Sequence, residues 1–240
     1  MGEVLRTEGL MGEVLRAQGV KRGFQTAGET FWALKGIDIC VEERKLTILK
    51  GRSGSGKTTL LNILGALDYP TEGDVFFMGR SLNGLPERER DFLRGRSMGF
   101  VFQSVALISM MSAYENVEFG LRVAGFGAKE REGRVRNCLS LVGLGQRMQH
   151  MPNEMSGGEC QRVAIARAIA HRPRIVFADE PTAELDTNTG LQVVKIFKDL
   201  VEKEGVTVLM TTHDPGLMEI GDTVYELEDG ELANSGQRLS

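Results

Sequence analysis

Short apolar runs alternate along this chain with longer stretches whose apolar residues recur at helical spacing. Residues 37–40 and 46–49 are β-rich runs, and the second leads through a Gly/Ser-rich loop into a helix expected over 58–67. Residues 74–78 predict another strand, 86–94 a charged helix, and 99–103 a buried strand ending in a polar residue. From 112 to 141 the pattern is helical, with a break near 125–127. Residues 157–171 are Ala-rich and predict a helix, 174–178 an apolar strand, 191–203 a helix and 206–211 a strand. Residues 222–234 contain Glu228-Asp229-Gly230, a hairpin turn signal. Strands alternating with helices predict an α/β fold with a mainly parallel sheet, and the helical stretch in the middle reads as an insertion.

The six residues MGEVLR at 1–6 recur at 11–16. Two copies fall short of a repeat architecture. Residues 1–10 therefore read as a flexible extension ahead of a second possible start at Met11, with a strand as the alternative.

Composition narrows the function classes. The 240 residues carry a net charge of -4, and the absence of a basic excess argues against a nucleic-acid partner. Cys40, Cys138 and Cys160 form no CxxC pair, so reduced thiols are expected rather than a metal centre. No apolar run is long enough to cross a membrane; the closest, 98–111, is interrupted by Gln103, Ser104 and Ser109. The N-terminus lacks the apolar core of a secretory signal.

Two segments carry chemistry. Gly51-Arg52-Ser53-Gly54-Ser55-Gly56-Lys57-Thr58 matches G-x-x-x-x-G-K-[ST], the phosphate-binding loop of nucleotide hydrolases, with Thr59 just behind it. Its glycines let successive N–H groups point at an anion, and a helix beginning near Lys57 puts a positive dipole end behind it. Lys57 would supply a point charge to the β- and γ-phosphates, and the Thr58 hydroxyl would ligate Mg²⁺. Ile175-Val176-Phe177-Ala178-Asp179-Glu180 is an apolar strand ending in two carboxylates. Beside a phosphate loop, Asp179 would serve the Mg²⁺ side and Glu180 would polarise an attacking water; a capped strand end with solvated acids is the bland alternative.

Met155-Ser156-Gly157-Gly158-Glu159, followed by Gln161-Arg162-Val163-Ala164-Ile165-Ala166-Arg167-Ala168, resembles the LSGGQ signature of ATP-binding cassette (ABC) ATPases. An ordinary helix N-cap would also fit Ser156 and the two glycines. The resemblance implies that Ser156, Gly157, Gly158 and Glu159 form a second anion site, facing the γ-phosphate held by the other subunit of a homodimer. It further implies that Gln103 is the glutamine reaching Mg²⁺ and the attacking water, and that His213 contacts the γ-phosphate and orients Glu180. Asp186, in Ala183-Glu184-Leu185-Asp186, resembles the residue coupling the two sites across the dimer. Phe24 falls where the family stacks an aromatic on adenine, with Phe31 and Trp32 as neighbours that could do the same.

As a whole, the resemblance implies a P-loop NTPase (RecA-like) parallel-sheet core with an N-terminal antiparallel β subdomain and an inserted α-helical subdomain. These would form one domain over 1–240, with 11–104 and 158–240 as core and 105–157 as the helical part. The segments 67–73 and 114–118 resemble the lipoprotein-release and macrolide-export branch. That branch implies an ATPase at the cytoplasmic face of the membrane, driving a separate transmembrane permease; a cell-division or signalling complex is the alternative. Leu107, Ile108, Met110, Met111 and Tyr114 offer an apolar docking groove, or pack the helical part. The chain departs from the family at Met155, Glu159 and Cys160, at Arg44 where glycine is common, and at Ser109 where proline is common.

Overall fold

The computed structural model describes residues 12–26 and 28–233, with the backbone of 237 and 238. The expected extension over 1–10 lies outside the described residues. In chain order the elements are β1 (Glu13–Thr26), β2 (Glu29–Glu42), β3 (Leu46–Lys50), α1 (Lys57–Leu64), β4 (Glu72–Phe77), β5 (Arg80–Ser81) and α2 (Glu87–Ser97). Then follow β6 (Met98–Val101), α3 (Ala113–Val123), α4 (Ala128–Leu141), α5 (Gly157–Ile169), β7 (Ile175–Ala178), α6 (Thr187–Glu204), β8 (Thr207–Thr212), β9 (Thr223–Glu228), β10 (Glu231–Leu232) and β11 (Gln237–Arg238).

Two sheets organise these elements. The central one runs β10-β9-β3-β8-β7-β6, with β11 beside β9, and its β6, β7, β8, β3 and β9 pair in parallel. The other is antiparallel in the order β2-β1-β4-β5. The expected α/β fold with a mainly parallel core and an N-terminal antiparallel sheet is what the chain forms.

The parallel strands are buried on both faces, which is why they read as continuous apolar runs. Successive residues face opposite layers. Ile48, Val176, Ala178, Val208 and Met210 pack with side chains of α3, α4, α5 and α6. Leu49, Ile175, Phe177 and Leu209 pack with α1 and the antiparallel sheet. The result is three layers with the parallel sheet in the middle. Each buried aliphatic or aromatic side chain contributes about 1.5–3 kcal/mol relative to exposure.

Element boundaries differ from the expected ones for local reasons. Helix α1 stops at Leu64, before the expected 67, because Gly65 and Ala66 (φ 57°) leave helical geometry. A Cβ on Gly65 would meet the Phe100 ring at 2.7 Å, so the glycine admits β6 against the helix. Helix α6 begins four residues before the expected 191, since Asp186 caps the N–H groups of Asn188 and Thr189. Strand β6 ends at Val101, not at Gln103. Strand β1 belongs to the expected N-terminal antiparallel sheet, but the residue pattern did not reveal it; it is crossed by register shifts between Ala17 and Val20 and between Arg22 and Gly23, which disrupt the alternation that would mark a strand.

Candidate functional site

Three neighbouring strands deliver the chemistry to one edge of the sheet. Strand β3 runs into the phosphate loop, β7 ends at Asp179-Glu180, and β8 ends just before His213. Carboxyl ends of parallel strands are where α/β folds bind ligands.

The loop is shaped around its backbone. Gly54 and Gly56 have φ of 80° and 105°, left-handed values that other residues reach only under strain. A Cβ on Gly56 would sit 2.7 Å from the Ala33 carbonyl oxygen on β2. Helix α1 begins at Lys57 without any side-chain cap, so its first N–H groups face the loop. The Ser55 hydroxyl is buried and has no hydrogen-bond partner. An uncapped helix start, an orphaned buried hydroxyl and a Gly-lined turn together form a cradle suited to a phosphate anion. Arg52, Ser53 and Gly54 are exposed at its mouth, while Thr59 is half-buried behind it. A cavity of about 620 Å³ opens here, lined in part by Arg52, Ser53, Glu180 and His213. That volume lies in the usual range for small-molecule sites, ~300–1,000 Å³.

Lys57 is 4% exposed; its ammonium donates to the carbonyl oxygens of Gly51 (2.8 Å) and Arg52 (3.0 Å). It also pairs with Glu180 Oε1 at 3.1 Å. The other carboxylate oxygen of Glu180 lies 3.0 Å from His213 Nδ1. Lys57, Glu180 and His213 thus form one contiguous line of charged and polar groups. Glu180 sits at φ 44°, a left-handed position for a residue with a side chain. Such strain costs about 1–3 kcal/mol and persists only where surroundings fix it. Here the Glu180 N–H donates to Thr211 Oγ1 at 2.8 Å.

A second line lies alongside. The Thr58 hydroxyl donates to Asp179 Oδ2 at 2.9 Å, and the Thr211 hydroxyl donates to Asp179 Oδ1 at 2.6 Å. Hydroxyl and carboxylate oxygens at this separation are the hard donors Mg²⁺ prefers, and Mg²⁺ commonly takes only one or two protein ligands. Gln103 lies on the exposed loop after β6 and makes no hydrogen bond to Thr58 or Asp179. The structure therefore does not bring it together with the other two. Thr211 was not anticipated from sequence, although the Thr211-Thr212 pair closing the apolar run 208–210 was its signal.

The signature residues form their own unit. Ser156 caps α5: its hydroxyl accepts from the Glu159 N–H at 3.2 Å, and Glu159 Oε2 accepts from the Ser156 N–H at 2.9 Å. This reciprocal box holds the Glu159 carboxyl below the usual carboxylate range. Gly157 is exposed and Gly158 buried. A Cβ on Gly158 would lie 2.1 Å from Thr189 Cγ2. Thr189 in turn donates its hydroxyl to Asp186 Oδ2 at 2.6 Å. Asp186 therefore acts inside its own chain as the cap of α6, and through Thr189 it touches the signature helix. Thr189 is a second residue that sequence reasoning missed, because it meets Gly158 only through the fold.

Phe24 is 39% exposed on β1, directly opposite Phe31 of β2, and the Arg22 guanidinium lies 4.7 Å above its ring. Trp32 turns to the opposite face and covers Gly23. Of the expected docking residues, Leu107 and Tyr114 pack on the core, whereas Met110 is 83% exposed. No helix among the described residues is long and apolar enough to cross a membrane.

Comparison with known proteins places these features. The chain is 40% identical to the Bacillus subtilis ABC transporter ATP-binding protein YknY over 94% of its length and 98% of the relative's. It is 41% identical to the macrolide export ATP-binding/permease protein MacB of Syntrophobacter fumaroxidans, across 92% of this chain but 31% of that longer protein. A solved dimeric structure of the ATP-binding cassette MJ0796 from Methanocaldococcus jannaschii, in a post-hydrolysis state with ADP and Pi, superposes with a TM-score of 0.86 at 38% identity, covering 94% of this chain and 99% of that one. With residues 34–183 matching the ABC transporter family model as well, the chain belongs to the ABC transporter family as an ATP-binding cassette.

Proposed function

We propose that this cassette hydrolyses ATP to ADP and phosphate and passes the resulting conformational change to a separate membrane permease. The observation carrying the reading is the contiguous Lys57–Glu180–His213 line beside the phosphate loop, with both ends of the Glu180 carboxylate engaged. Lys57 and the loop amides bind the triphosphate and orient it. Glu180, held in a strained backbone position by Thr211, accepts a proton from water. His213 holds the Glu180 carboxylate in register. Thr58 and Asp179 are the residues that would hold Mg²⁺, which supplies charge neutralisation on the phosphates when bound. Gln103, on the loop after β6, would be the further residue reaching Mg²⁺ and the attacking water. Catalysis of this kind rests on positioning and electrostatics rather than covalent chemistry.

The dimeric MJ0796 cassette supports a homodimer in which Ser156, Gly157 and Gly158 of one copy face the nucleotide of the other. The fused permease of MacB supports a membrane partner at the cytoplasmic face, and the export named for MacB supports outward transport. Exposed Met110, beside the Gln103 loop, would lie at the permease contact.

The Glu180→Gln variant tests the assignment. It should keep ATP affinity, lose hydrolysis by about 10²-fold or more, and accumulate as an ATP-dependent dimer on size-exclusion chromatography. Undiminished turnover by that variant would overturn the role of Glu180, and a monomer at saturating ATP would overturn the shared site.

A further inference from the structure

At the edge of the parallel sheet opposite the phosphate loop lies a cavity of about 540 Å³. Arg44, Arg134, Arg172 and Arg174 line it together with Glu43 and Glu204. Four arginines thus line one cavity in a chain whose net charge is -4, and Arg44, Arg172 and Arg174 are solvent-exposed at it. Arg134 is occupied structurally, since its Nε and Nη2 donate to the carbonyl oxygens of Ala170 and Ile169 and close the end of α5. The other three are not engaged in this way. Arg44, Arg172 and Arg174 make no side-chain hydrogen bond or ion pair among the described residues, although Glu43 and Glu204 line the same cavity.

The backbones of those three arginines are fixed even though their side chains are free. The N–H of Arg44 donates to Thr207 Oγ1 at 3.0 Å, that of Arg172 to the Ile169 carbonyl at 3.1 Å, and that of Arg174 to the Ser97 carbonyl at 2.8 Å. Arg44 and Arg172 both sit at φ 56°. Glycine would occupy that region without steric cost. Two strained positions that favour glycine thus carry arginine, and both open into the same cavity.

We propose that this cavity is a second anion site, separate from the phosphate loop, for a small molecule carrying two or more phosphate groups. Guanidinium is planar and forked, and it pairs two-to-two with phosphate oxygens. Three such groups exceed the two carboxylates that line the cavity by one positive charge, and Arg134 adds another. The volume suits a small phosphorylated molecule better than a single phosphate. The placement also gives binding a route to the other edge. Strands β3, β7 and β8 begin beside Arg44, Arg174 and Thr207 and end at the phosphate loop, at Asp179-Glu180 and at His213. The phosphate chemistry could be presented by a free molecule or by a clustered lipid headgroup, and the two are separated below.

Titration calorimetry of the full chain with pyrophosphate at low ionic strength tests the site. Binding should persist in Lys57→Ala and in wild type with the phosphate loop saturated by ADP. It should weaken at least tenfold in Arg172→Ser/Arg174→Ser and fall steeply with added salt. Arg44→Gly should weaken pyrophosphate several-fold while its unfolding midpoint stays equal to or above that of wild type, because glycine relieves the strained turn. Co-sedimentation with phosphatidylglycerol vesicles that pyrophosphate displaces and the double variant loses would assign the headgroup source; pyrophosphate binding without vesicle binding would assign the free molecule. Pyrophosphate binding that disappears with Lys57→Ala and under ADP, or that survives the arginine substitutions unchanged, overturns the proposal, as does no measurable binding at millimolar pyrophosphate.

Discussion

Gly158 of the signature helix lies so close to the methyl of Thr189 that a Cβ there would come within 2.1 Å of it. The contact is between α5 and the first turn of α6, and Thr189 cannot swing away without breaking its 2.6 Å hydrogen bond to Asp186. Gly157, one position earlier, has its nearest neighbour at 3.7 Å. Of these two adjacent glycines, only Gly158 is held to glycine by a close approach within its own chain.

Gly158→Ala should therefore destabilise the protein by about 1–3 kcal/mol through overpacking, and Gly157→Ala by much less. Thermal unfolding midpoints of the two variants compare them directly. Thr189→Ser should restore part of the loss in Gly158→Ala, because removing the threonine methyl removes the clash. Equal midpoints for the two alanine variants would mean that the close approach is not maintained in solution.

Thr211 serves two groups at the carboxyl edge of the parallel sheet. Its hydroxyl donates to Asp179 and accepts from the Glu180 N–H. Thr211→Val keeps the shape and leaves both groups without that partner, at about 1–3 kcal/mol per unsatisfied buried group. Loss of the bond that fixes Glu180 should lower kcat more than ATP affinity. Thr211→Ser, which retains the hydroxyl, should recover most of kcat. A purely structural role would lower stability in both variants and leave kcat per folded molecule unchanged.

Much of this site was legible because its signals are local in sequence. The phosphate loop and the Asp179-Glu180 strand each fit within a few residues, and strands buried on both faces leave continuous apolar runs such as 175–178. What escaped depends on distant partners. Thr211 and Thr189 are ordinary in sequence and acquire meaning only beside Asp179 and Gly158. Strand β1 escaped because its bulges break the two-residue period, and the start of α6 because Thr187-Asn188-Thr189-Gly190 are poor helix formers that only the Asp186 cap recruits. The glutamine expected at a strand end instead stands beyond it on an exposed loop, since β6 loses its pairing with β7 after Val101.

Arg167 connects the signature helix to that loop. Its Nη1 donates to the Ala106 carbonyl at 2.7 Å and its Nη2 reaches the Val105 carbonyl at 3.4 Å. Ala106 is held at φ 48°, a left-handed position needing outside support. Arg167→Met keeps apolar bulk and removes both bonds. Hydrogen exchange should then quicken over 104–108 while the protection of α5 changes little. Unchanged exchange in that loop would show that Ala106 is held by other contacts.

The protein should lose stability as pH falls through the histidine range, and His171 is the named cause. Its Nε2 lies 2.9 Å from the Met98 carbonyl, which the neutral ring satisfies by donating its proton. Burial pushes its pKa below the ordinary 6.5. The unfolded chain takes up a proton near pH 6.5 and the folded chain resists it, so this stability is present above that pH and is lost as pH falls toward the lowered folded value. Denaturant unfolding at pH 7.5 and 5.5 measures the slope. His171→Gln should flatten it, and an unaltered slope would assign the effect to another group.

Phe24 and Phe31 face one another across β1 and β2, and their different surroundings predict which one carries the base. The Phe24 ring is held by Arg22, itself fixed to Asp68 at 2.9 Å, whereas Phe31 is 60% exposed. A ring already immobilised loses less entropy when an adenine stacks on its free face. Stacking of a base on an aromatic contributes about 1–3 kcal/mol, so Phe24→Ala should weaken ATP about tenfold. Arg22→Ala should weaken it two- to threefold by freeing the ring, and Phe31→Ala less still. ATP titration in a Glu180→Gln background, where turnover does not deplete the ligand, reads all three. A larger loss in Phe31→Ala than in Phe24→Ala would transfer the assignment to the opposite strand, while equal small losses would mean that neither ring stacks on the base.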